Sequence, residues 1–362
     1  MMAIFTDIFE DVTKQGTKIP TNLYLECGLY PIIDQGQSEI AGYTNETQGL
    51  FTDVPAIIFG DHTRIIKYIE TPCFLGADGV KLLKAKDPHA NYKYLYYALC
   101  HADIPNTGYN RHFKWLKEVD IREYTEQEQE HIVSQLERID RLILLRKQQL
   151  SKLDELVKSR FIEMFGGADY PTVLFENVCV FLRNGASIKQ TKGAGGYPIT
   201  RIETLSNDVF NIDRLGYADI TDLEKYQSYV LHNGDILISH INSVAYLGRA
   251  VQYRGQLDTP IIHGMNLLCA RIADSYNPTY IEWFFKTPMA KEYISTITKK
   301  AVNQASITTS DLKKMQVPNP PKNLQDQFAA FVEQVDKSKF EIQKSLEKLE
   351  TLKKALMQKY FG

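Results

Sequence analysis

Two segments of the chain carry a hydrophobic pattern that predicts long amphipathic helices. In the first segment, apolar residues follow alternating steps of four and three from Ile132 to Val157. The second segment has the same register from Phe328 to Leu356. This spacing places the apolar side chains along one stripe of a helix, and the stripe lasts about four heptads. Each segment therefore predicts a helix of about 40 residues, or roughly 60 Å at 1.5 Å per residue.

Local signals mark the starts of both helices. Thr125 followed by Glu128 is the signature of a capping box, in which two side chains satisfy backbone N–H groups at the start of a helix. Pro318, Pro320 and Pro321 precede the second helix. Proline lacks an N–H and fixes φ, so this run prevents the helix from beginning earlier.

Three basic residues, Arg146, Lys339 and Lys353, occupy positions in the apolar stripes. A polar residue at such a position can fix the register of paired helices at some loss of stability. Alternatively, these long side chains simply extend their charges into water at a frayed edge. The pattern leaves both interpretations open.

The two helical segments are copies of each other. Residues 129–166 align without a gap on residues 325–362, with ten identities in 38 positions. A period of 196 residues is too long for a solenoid unit, so the repeat predicts duplication of a whole domain with its helix. Two copies in one chain imply a pseudo-two-fold arrangement, in which the two long helices would pair antiparallel.

Between the helices, the pattern changes to that of short β-strands. Runs such as 56–59 and 235–238 are rich in branched and aromatic residues and lie near Gly, Pro and Asn, as is typical of strands and tight turns. The repeat continues weakly here, with Phe9 aligned on Phe175. We expect an α+β protein with an antiparallel coiled coil. Its predicted parts are a β-rich domain at 1–124, a spacer helix at 125–166, a second domain at 167–320 and a second helix at 321–362.

Composition places few limits on the function. Hydrophobic residues make up 44% and charged residues 24% of the chain, as in globular proteins. No run approaches the roughly 18 apolar residues of a membrane span, and the N-terminus lacks a signal-peptide pattern, so we expect a cytoplasmic protein. The five cysteines lack close pairs and are predicted to be buried thiols. Neither they nor the histidines have metal-ligand spacing, so no metal or cofactor is expected.

The formal net charge of −2 is unusual for a protein that binds DNA alone, because such proteins usually present a basic surface. If the chain contacts nucleic acid, local basic patches or a partner subunit must supply most of the charge that neutralises the phosphates.

No catalytic motif is complete. The run 319–321, Asn-Pro-Pro, is similar to the active-site motif of amino-methyltransferases, but Lys322 stands where an aromatic residue should follow. The glycine-rich run 193–196 lacks the Lys-Ser/Thr pair of a P-loop. We interpret the first as the stop before the second helix and the second as a turn. We therefore expect no enzymatic activity from the chain alone.

The duplicated elements, in this order, resemble the specificity subunits of type I restriction-modification enzymes. The resemblance covers the whole chain and rests on the helix ends 161–166 and 357–362, and on the runs 234–239 and 303–307 in the second domain. The first domain departs from the pattern. There, 55–61 and 108–113 occupy the corresponding places.

The resemblance implies two target-recognition domains, each reading one half of a bipartite sequence in double-stranded DNA. It further implies that two long helices, packed as an antiparallel coiled coil, set the spacing between the half-sites. The expected partners are methyltransferase subunits, two of them on the repeated helix surfaces. Whether a restriction nuclease subunit joins them is left open. The chain would then be a non-catalytic recognition subunit.

Candidate DNA contacts are polar residues on loops between strands. Arg and Lys suit guanine, Asn and Gln suit adenine, and Ser and Thr suit either. In the first domain the candidates are Gln35, Gln37, His62, Thr63, Arg64, Asn110 and Arg111. In the second domain they are Arg183, Asn184, Lys189, Arg201, His240, Asn242, Ser243, Asn303 and Gln304.

Two other functions remain as alternatives. In a protein-interaction scaffold, the coiled coil would be the functional element and the β-rich domains would bind peptides or proteins, which the near-neutral charge supports. A methyltransferase or nuclease is disfavoured by the incomplete motifs. Sequence-specific, salt-sensitive DNA binding in the presence of a methyltransferase partner would distinguish the scaffold from the specificity subunit.

Overall fold

Each of the two units into which the chain folds contains parts of both long helices. The first unit comprises residues 1–149 and 342–362, and the second comprises residues 150–341. Helices and sheets are mixed in both units, which fits the predicted α+β class. The computed structural model describes residues 2–76, 79–167, 169–191, 195–206, 208–301 and 304–362.

Short, mostly antiparallel strands form the core of the first unit. They are β1 (Met2–Ile4), β2 (Phe9–Asp11), β3 (Tyr30–Ile33), β4 (Gly42–Thr44), β5 (Ala56–Gly60), β6 (Ile66–Ile69), β7 (Phe74–Leu75), β8 (Val80–Ala85) and β9 (Asp120–Arg122). The helices that begin here are α1 (Phe5–Ile8), α2 (Tyr92–His101), α3 (Phe113–Leu116) and α4 (Glu126–Phe165). The central sheet has the order β2-β8-β5-β6, and every residue of β5 is buried.

The second unit has more and shorter strands. They are β10 (Thr172–Leu174), β11 (Cys179–Asn184), β12 (Gln190–Thr191), β13 (Tyr197–Ile199), β14 (Leu205–Ser206), β15 (Val209–Phe210), β16 (Gly216–Ala218), β17 (Ile236–Ser239), β18 (Ile241–Asn242), β19 (Ala250–Gln252), β20 (Leu267–Ile272), β21 (Lys299–Lys300), β22 (Ala305–Ser306) and β23 (Gln316–Pro318). The helices that begin here are α5 (Phe175–Val178), α6 (Pro278–Phe284), α7 (Pro288–Ile297), α8 (Thr309–Lys313) and α9 (Lys322–Phe361).

The same strand connectivity occurs in both units. In the four-stranded sheets, β11, β20, β17 and β19 of the second unit take the positions of β2, β8, β5 and β6 of the first. Likewise, β10 pairs with β23 in the second unit as β1 pairs with β9 in the first. Met2 lies opposite Arg122, and Thr172 lies opposite Pro318. The repeat offset is therefore 170 residues from Met2 to Thr172 and 196 residues from Arg122 to Pro318. The repetition seen in the helices thus extends through the sheets.

The structure corrects one pairing expected from the sequence, that of Phe9 with Phe175. The N–H of Phe5 donates to Val119 O at 2.9 Å, and the N–H of Phe175 donates to Met315 O at 2.8 Å. Each of these phenylalanines also begins the first short helix of its domain. Phe5 is therefore the counterpart of Phe175. The error of four residues arose because two consecutive tetrapeptides, at 5–8 and 9–12, both begin with Phe and both resemble 175–178.

Both long helices have the predicted length, 40 residues each. The capping box is present: the Glu128 carboxylate accepts hydrogen bonds from the N–H and the hydroxyl of Thr125, both at 2.8 Å. These bonds lower the pKa of Glu128. At the second helix, the buried side chain of Gln325 donates to Pro320 O at 2.8 Å, so the proline run is tied to the first turn. No helix among the described residues combines the length and the apolar character needed to cross a bilayer.

In the first unit, the N-terminal part of α4 packs against the C-terminal part of α9. Leu136 is fully buried in the same core as Tyr360, whose hydroxyl donates to Gln135 Oε1 at 2.8 Å. Further along, Asp140 pairs with Lys353. Residue numbers fall on one helix as they rise on the other, so the two segments run antiparallel.

In the second unit, the C-terminal part of α4 packs against the N-terminal part of α9 in the same sense. Asp154 pairs with Lys339, and the ring of Phe161 lies 5.2 Å from that of Phe328, centroid to centroid. Phe328 is fully buried. Val157 and Phe328, which lie at the ends of the two predicted apolar stripes, are buried together with Phe161 in one hydrophobic core.

The basic stripe residues are mostly paired. Lys339 and Lys353 each form an ion pair with an aspartate of the neighbouring helix segment, Asp154 and Asp140 respectively. Arg146 instead donates to a glutamine three residues further along its own helix, at 2.8 Å. Two specific partners for two lysines favour the interpretation that these residues define register, since a charge extended into water would have no such partner.

A tyrosine anchors each domain to a long helix. The hydroxyl of Tyr94 donates to the last carbonyl of β9, and that of Tyr280 donates to the last carbonyl of β23 at 2.9 Å. The rings lie 5.5 Å from Phe361 and 4.9 Å from Phe165, respectively. Phe165 and Phe361 are repeat mates, so the same contact is made twice.

The expectation that all cysteines are buried is partly wrong. Cys73 and Cys269 are buried, and burial raises the pKa of the Cys73 thiol to about 11. Cys27 and Cys100 are exposed, one in a bend and the other in the last turn of α2. Composition alone could not distinguish these positions from those within the sheets.

Candidate nucleic-acid interface

In the first unit, three loops meet beyond the end of β5. Gln35, in the loop after β3, accepts the N–H of His62 at 3.1 Å through its side chain and the hydroxyl of Thr63 at 2.7 Å through its carbonyl. His62 Nδ1 lies 3.2 Å from Asn110 O in the loop before α3. A carbonyl only accepts, so Nδ1 is the donor. Four predicted DNA contacts thus form one cluster.

A buried carboxylate, Asp61, holds these loops in place. Asp61 Oδ1 accepts the N–H of Phe113 at 2.8 Å. The backbone carbonyl of Asp61 accepts two further hydrogen bonds, from the N–H of His112 at 2.8 Å and from His112 Nδ1–H at 2.9 Å. Asp61 and His112 are both buried. Asp61 was not predicted from the sequence because its partners, His112 and Phe113, lie 51 and 52 positions further along the chain.

The remaining candidates of the first domain have different environments. Arg64 adopts a left-handed backbone conformation, with φ of 62°, and its Nη1 donates to Ile104 O at 2.9 Å. This bond occupies part of its guanidinium. Gln37 and Arg111 are exposed on the loops that flank the cluster.

Tyr109 joins the cluster without having been predicted. Its side chain is 86% exposed, and its ring stacks on His62 at 4.6 Å with 9° between the planes. The candidates were chosen among polar residues that can hydrogen-bond to base edges, so this ring was overlooked. Its position between Gly108 and the candidate Asn110 was a usable signal. An exposed ring beside donors and acceptors can stack on a base or a sugar.

In the second unit, two parallel strands bring the candidates to one sheet edge. β11 and β17 both run antiparallel to β20, so their C-terminal ends lie at the same edge. Arg183 and Asn184 end β11, and His240 directly follows β17. Nearby, the side-chain amide of Asn242 donates to the hydroxyl of Ser239, the last residue of β17, at 3.3 Å. Its oxygen accepts the N–H of Ser243 at 2.8 Å.

This edge corresponds to the cluster in the first unit. The N–H of Ile307 donates to His240 O at 3.0 Å, as that of His112 donates to Asp61 O at 2.8 Å. The loop that contains Gln304 in the second domain therefore takes the place of the loop at 108–113 in the first, as the sequence predicted. Gln304 itself is exposed. Asn303 lies outside the described residues.

Lys189 and Arg201 flank strands of a neighbouring sheet, β12-β16-β13: Lys189 directly precedes β12, and Arg201 lies two residues after β13. Arg201 Nε donates to Gln190 Oε1 at 2.5 Å, whereas Lys189 is exposed. The N–H of Ala186 donates to His263 O at 2.8 Å. Ala186 lies two residues after β11, and Ile262, next to His263, bridges Ile199 of β13, so these contacts connect the neighbouring sheet to the edge that carries Arg183.

Two exposed lysines of β21 extend the charged surface. β22 lies between β21 and β18, and its residue Ala305 pairs with Lys300 on one side and with Asn242 on the other. Lys299 is equally exposed, with its Nζ 3.9 Å from Asp311. Lysines contact phosphates as point charges. These two were not predicted, although adjacent lysines shortly before Gln304 gave a signal in the sequence.

Burial disfavours the charged form of two histidines near the edge. Burial lowers the pKa of His240, and it lowers the pKa of His263 to about 4. His263 Nε2–H donates to Leu267 O at 2.8 Å. Among the described residues, two buried side-chain nitrogens have no hydrogen-bond partner, Arg183 Nε and His240 Nδ1. Unpaired buried groups are uncommon, and both of these belong to predicted DNA contacts.

Two glycines allow the edge to pack closely. A Cβ on Gly185 would lie 2.2 Å from Gly264 O and 2.3 Å from its carbonyl carbon. Both atoms belong to the backbone, so they cannot move aside as a flexible side chain would. We expect Gly185→Ala to lower the free energy of unfolding of the second unit by about 1–3 kcal/mol, measured by urea denaturation.

The matched control for this substitution is Gly195→Ala. A Cβ at Gly195 would have no atom within 4 Å, so we expect this variant to be close to wild type. Equal stability of the two variants would contradict the tight approach at Gly185.

The chemistry of both clusters is that of hydrogen-bond donors, acceptors and positive charge. Among the described residues, no three His, Cys, Asp or Glu side chains gather as metal ligands would. Such a set of groups suits recognition of a polar, anionic surface.

A family model described as the type I restriction modification DNA specificity domain matches residues 171–354, which is half of the chain. The chain therefore belongs to the type I restriction-modification DNA specificity family, and the resemblance inferred from the sequence is confirmed.

Individual relatives agree with this assignment. The chain is 37% identical over 194 residues to a Methanocaldococcus jannaschii protein described as the type I restriction enzyme MjaX specificity subunit, covering 53% of the chain and 45% of that protein. It is 26% identical over 199 residues to the EcoKI specificity subunit of Escherichia coli, covering 52% and 41%. The matched region thus spans less than half of each curated relative.

Solved structures support the fold. The S subunit of a type I restriction-modification system from M. genitalium matches with a TM-score of 0.61 and 16% identity, over 100% of this chain and 96% of that one. A chain from a study of complex assembly in the type I system matches with a TM-score of 0.56 and 17% identity, over 100% and 97%.

Proposed function

We propose that this chain is a DNA specificity subunit in which two target-recognition domains, residues 1–124 and 167–320, each read one half of a bipartite sequence in double-stranded DNA. One observation carries the proposal. Each unit has an equivalent four-stranded sheet, with β5 as an inner strand in the first unit and β17 in the second. In both units, predicted polar contacts cluster beyond the C-terminal end of that strand, but the side chains differ. Equivalent positions with different residues are suited to reading two different half-sites.

The two long helices, at 125–166 and 321–362, act in this proposal as an antiparallel coiled coil with pseudo-two-fold symmetry that sets the half-site spacing. The antiparallel packing within each unit supports this role, as do the pairs Lys339–Asp154 and Lys353–Asp140. Polar pairs within an apolar stripe favour one register over its alternatives.

Methyltransferase subunits are the proposed partners, two of them on the repeated helix surfaces. Exposed apolar side chains support this. Leu144 and Phe340 are 56% and 66% exposed, and Leu156 and Leu352 are 47% and 48% exposed. Each pair is related by the repeat offset of 196, so the chain offers the same apolar surface twice. A restriction nuclease subunit is a further partner that this surface neither requires nor excludes.

The proposed subunit recognises DNA without catalysing a reaction and acts in the cytoplasm, where its DNA substrate lies. The formal charge of −2 is compatible with this role if the methyltransferase partners supply much of the phosphate-neutralising charge.

The test is selection of bound sequences from a random double-stranded DNA library by the full chain assembled with methyltransferase subunits. We expect enrichment of two short motifs separated by a constant spacer. Binding should weaken steeply as salt rises, because phosphate contacts release counterions. Exchange of residues 167–320 for those of another family member should change one motif and leave the other intact.

Enrichment of no sequence would contradict the proposal and favour the protein-interaction scaffold. A change in both motifs after the exchange would contradict the assignment of one domain to each half-site. Replacement of residues 167–320 by the same segment from this chain, carried through the same cloning steps, is the matched control.

A further inference from the structure

Arg183 is held in an unusual environment at the recognition edge of the second unit. Its guanidinium carbon lies 4.6 Å from the centre of the Phe181 ring and 4.7 Å from that of Tyr229. Two aromatic rings, one from β11 itself and one from the segment before β17, therefore pack against this guanidinium. Stacking on aromatic faces is a favourable arrangement for arginine.

The guanidinium of Arg183 forms no hydrogen bond with any residue that the structure describes. Its Nε is enclosed and has no acceptor among the described residues, and no carboxylate there lies within ion-pair distance. The neighbouring Arg271, on the strand paired with β11, also stacks on Phe181 but forms two bonds of 2.7 and 2.8 Å with Asp235. Arg271 is therefore committed to an ion pair within the protein, whereas Arg183 has no such partner in the described part of the chain.

The other arginines predicted to contact DNA differ from Arg183. Arg64 donates to Ile104 O and Arg201 donates to Gln190, so each is partly occupied. Arg111 is exposed on a loop and is not oriented by a stacked ring. Arg183 alone among these four combines a fixed orientation with terminal nitrogens that no described residue occupies.

We propose that Arg183 is a base-reading residue of the second domain, and that its two terminal nitrogens bind the O6 and N7 atoms of one guanine in the major groove. This inference rests on the proposed DNA-binding function. With two rings packed against the guanidinium and Nε enclosed, the outer end of the group is the part available to a ligand. That end presents two parallel N–H donors, which match the two acceptors on the guanine edge.

The fixed orientation also argues for a base rather than a phosphate. A stacked side chain has already lost much of its rotamer freedom, so a directional contact costs less entropy on binding. Phosphates tolerate mobile point charges, which the exposed Lys189, Lys299 and Lys300 supply around the same edge. Arg183 is thus assigned to sequence discrimination and the lysines to general attraction.

The test begins with the bipartite site selected by the wild-type full chain assembled with methyltransferase subunits. Base preferences at every position are then measured for Arg183→Gln and Arg183→Lys. We expect discrimination at one guanine in one half-site to fall by about 5- to 150-fold, the range of one bidentate contact. The other positions and the second half-site should keep their preferences. Arg214→Gln, which removes the charge of an exposed arginine in the same domain, is the control and should change no preference.

A second measurement has a wild-type part that does not depend on any variant folding. Each guanine of the site is replaced in turn by 7-deazaguanine, which lacks the N7 acceptor. Wild-type binding should weaken at one guanine of the second domain's half-site, and the Arg183→Gln variant should no longer sense that replacement. The melting temperature of each variant reports whether it folds.

Three outcomes would overturn the inference. One is unchanged base preferences in a folded Arg183→Gln variant. Another is a uniform loss of affinity for all sequences with a shallower salt dependence, which would make Arg183 a phosphate contact. The third is wild-type binding that senses 7-deazaguanine nowhere in that half-site. Failure of the wild-type chain to select any site would instead contradict the proposed function itself.

Discussion

In the proposed specificity subunit, deletion of residues 145–151 from α4 together with residues 341–347 from α9 will abolish binding to the original DNA site and create a preference for a site with a shorter spacer. Seven residues shorten a helix by about 10 Å, which corresponds to about three base pairs at roughly 3.4 Å each. Affinity for the original site should fall toward the non-specific level, a loss of about 1,000-fold or more. The half-site sequences should not change.

This deletion is designed to spare the domains. No residue of either deleted segment belongs to the hydrophobic cores that pack against the sheets. A heptad keeps the apolar stripe in register, and both Lys–Asp pairs lie outside the deleted residues. Because the two segments are repeat mates, offset by 196, the helices shorten equally. The measurement is sequence selection from a random library, followed by binding to sites that differ only in spacer length.

Two control variants make the result specific. Exchange of the two heptads between α4 and α9 alters the same residues at constant length, so we expect the original spacer to persist. Deletion from α4 alone should misplace one Lys–Asp pair relative to the other and lower the melting temperature. Selection of the original spacer by the doubly shortened protein would show that the helices do not set the half-site separation.

Phe328→Ala will destabilise the second unit by about 3–5 kcal/mol, the usual cost of removing a fully buried aromatic side chain. Phe328 is 0% exposed. Its ring centre lies 5.2 Å from that of Phe161, 5.7 Å from Phe165 and 6.0 Å from Trp283. These contacts join α9 to α4 and to α6 of the domain, so the cavity would open where three helices meet.

Tryptophan fluorescence during urea unfolding can measure this effect locally. The chain has two tryptophans; with Trp115→Phe as the background, Trp283 alone reports on the core around Phe328. The control is Phe340→Ala on the same helix, where the side chain is 66% exposed and the expected change is within about 0.5 kcal/mol. Similar unfolding midpoints for the two variants would contradict the packing described for Phe328.

The long helices were the most predictable part of the protein. Their apolar stripe, the capping box at Thr125 and the proline run before Lys322 are all local signals, each read from residues a few positions apart. The structure places both helices where these signals predicted and buries or partly buries every stripe residue from Ile132 to Val157. The sequence left the role of the basic stripe residues open, because their aspartate partners lie on the other helix.

The domains were less predictable. The apolar runs at 56–59 and 235–238 are indeed the central strands β5 and β17. The alignment of Phe9 with Phe175 was wrong by one tetrapeptide, since two similar tetrapeptides follow each other. The hydrogen bonds of Phe5 and Phe175 to the ends of their domains, and the short helices that both residues begin, distinguished the two alignments.

The candidate site was predictable by residue type but not by geometry. Gln35 and His62 are 27 positions apart, and His62 and Asn110 are 48 apart, yet they form one hydrogen-bonded cluster. Tyr109, Lys299 and Lys300 were missed because their significance depends on exposure beside that cluster or its counterpart. The assignments of individual DNA contacts stay predictions.

The sequence by itself determined the duplication, the two long helices and the family, because these follow from patterns that are local or that repeat at a constant offset. Only the tertiary structure decided which loops converge and which polar groups remain unpaired. Arg183 shows the difference most clearly. As one basic residue at a strand end it resembled several others, and its two stacked rings, one of them contributed by Tyr229, 46 positions away, set it apart. Convergence of this kind depends on strand pairing across the sheet, which joins residues without regard to their distance along the chain.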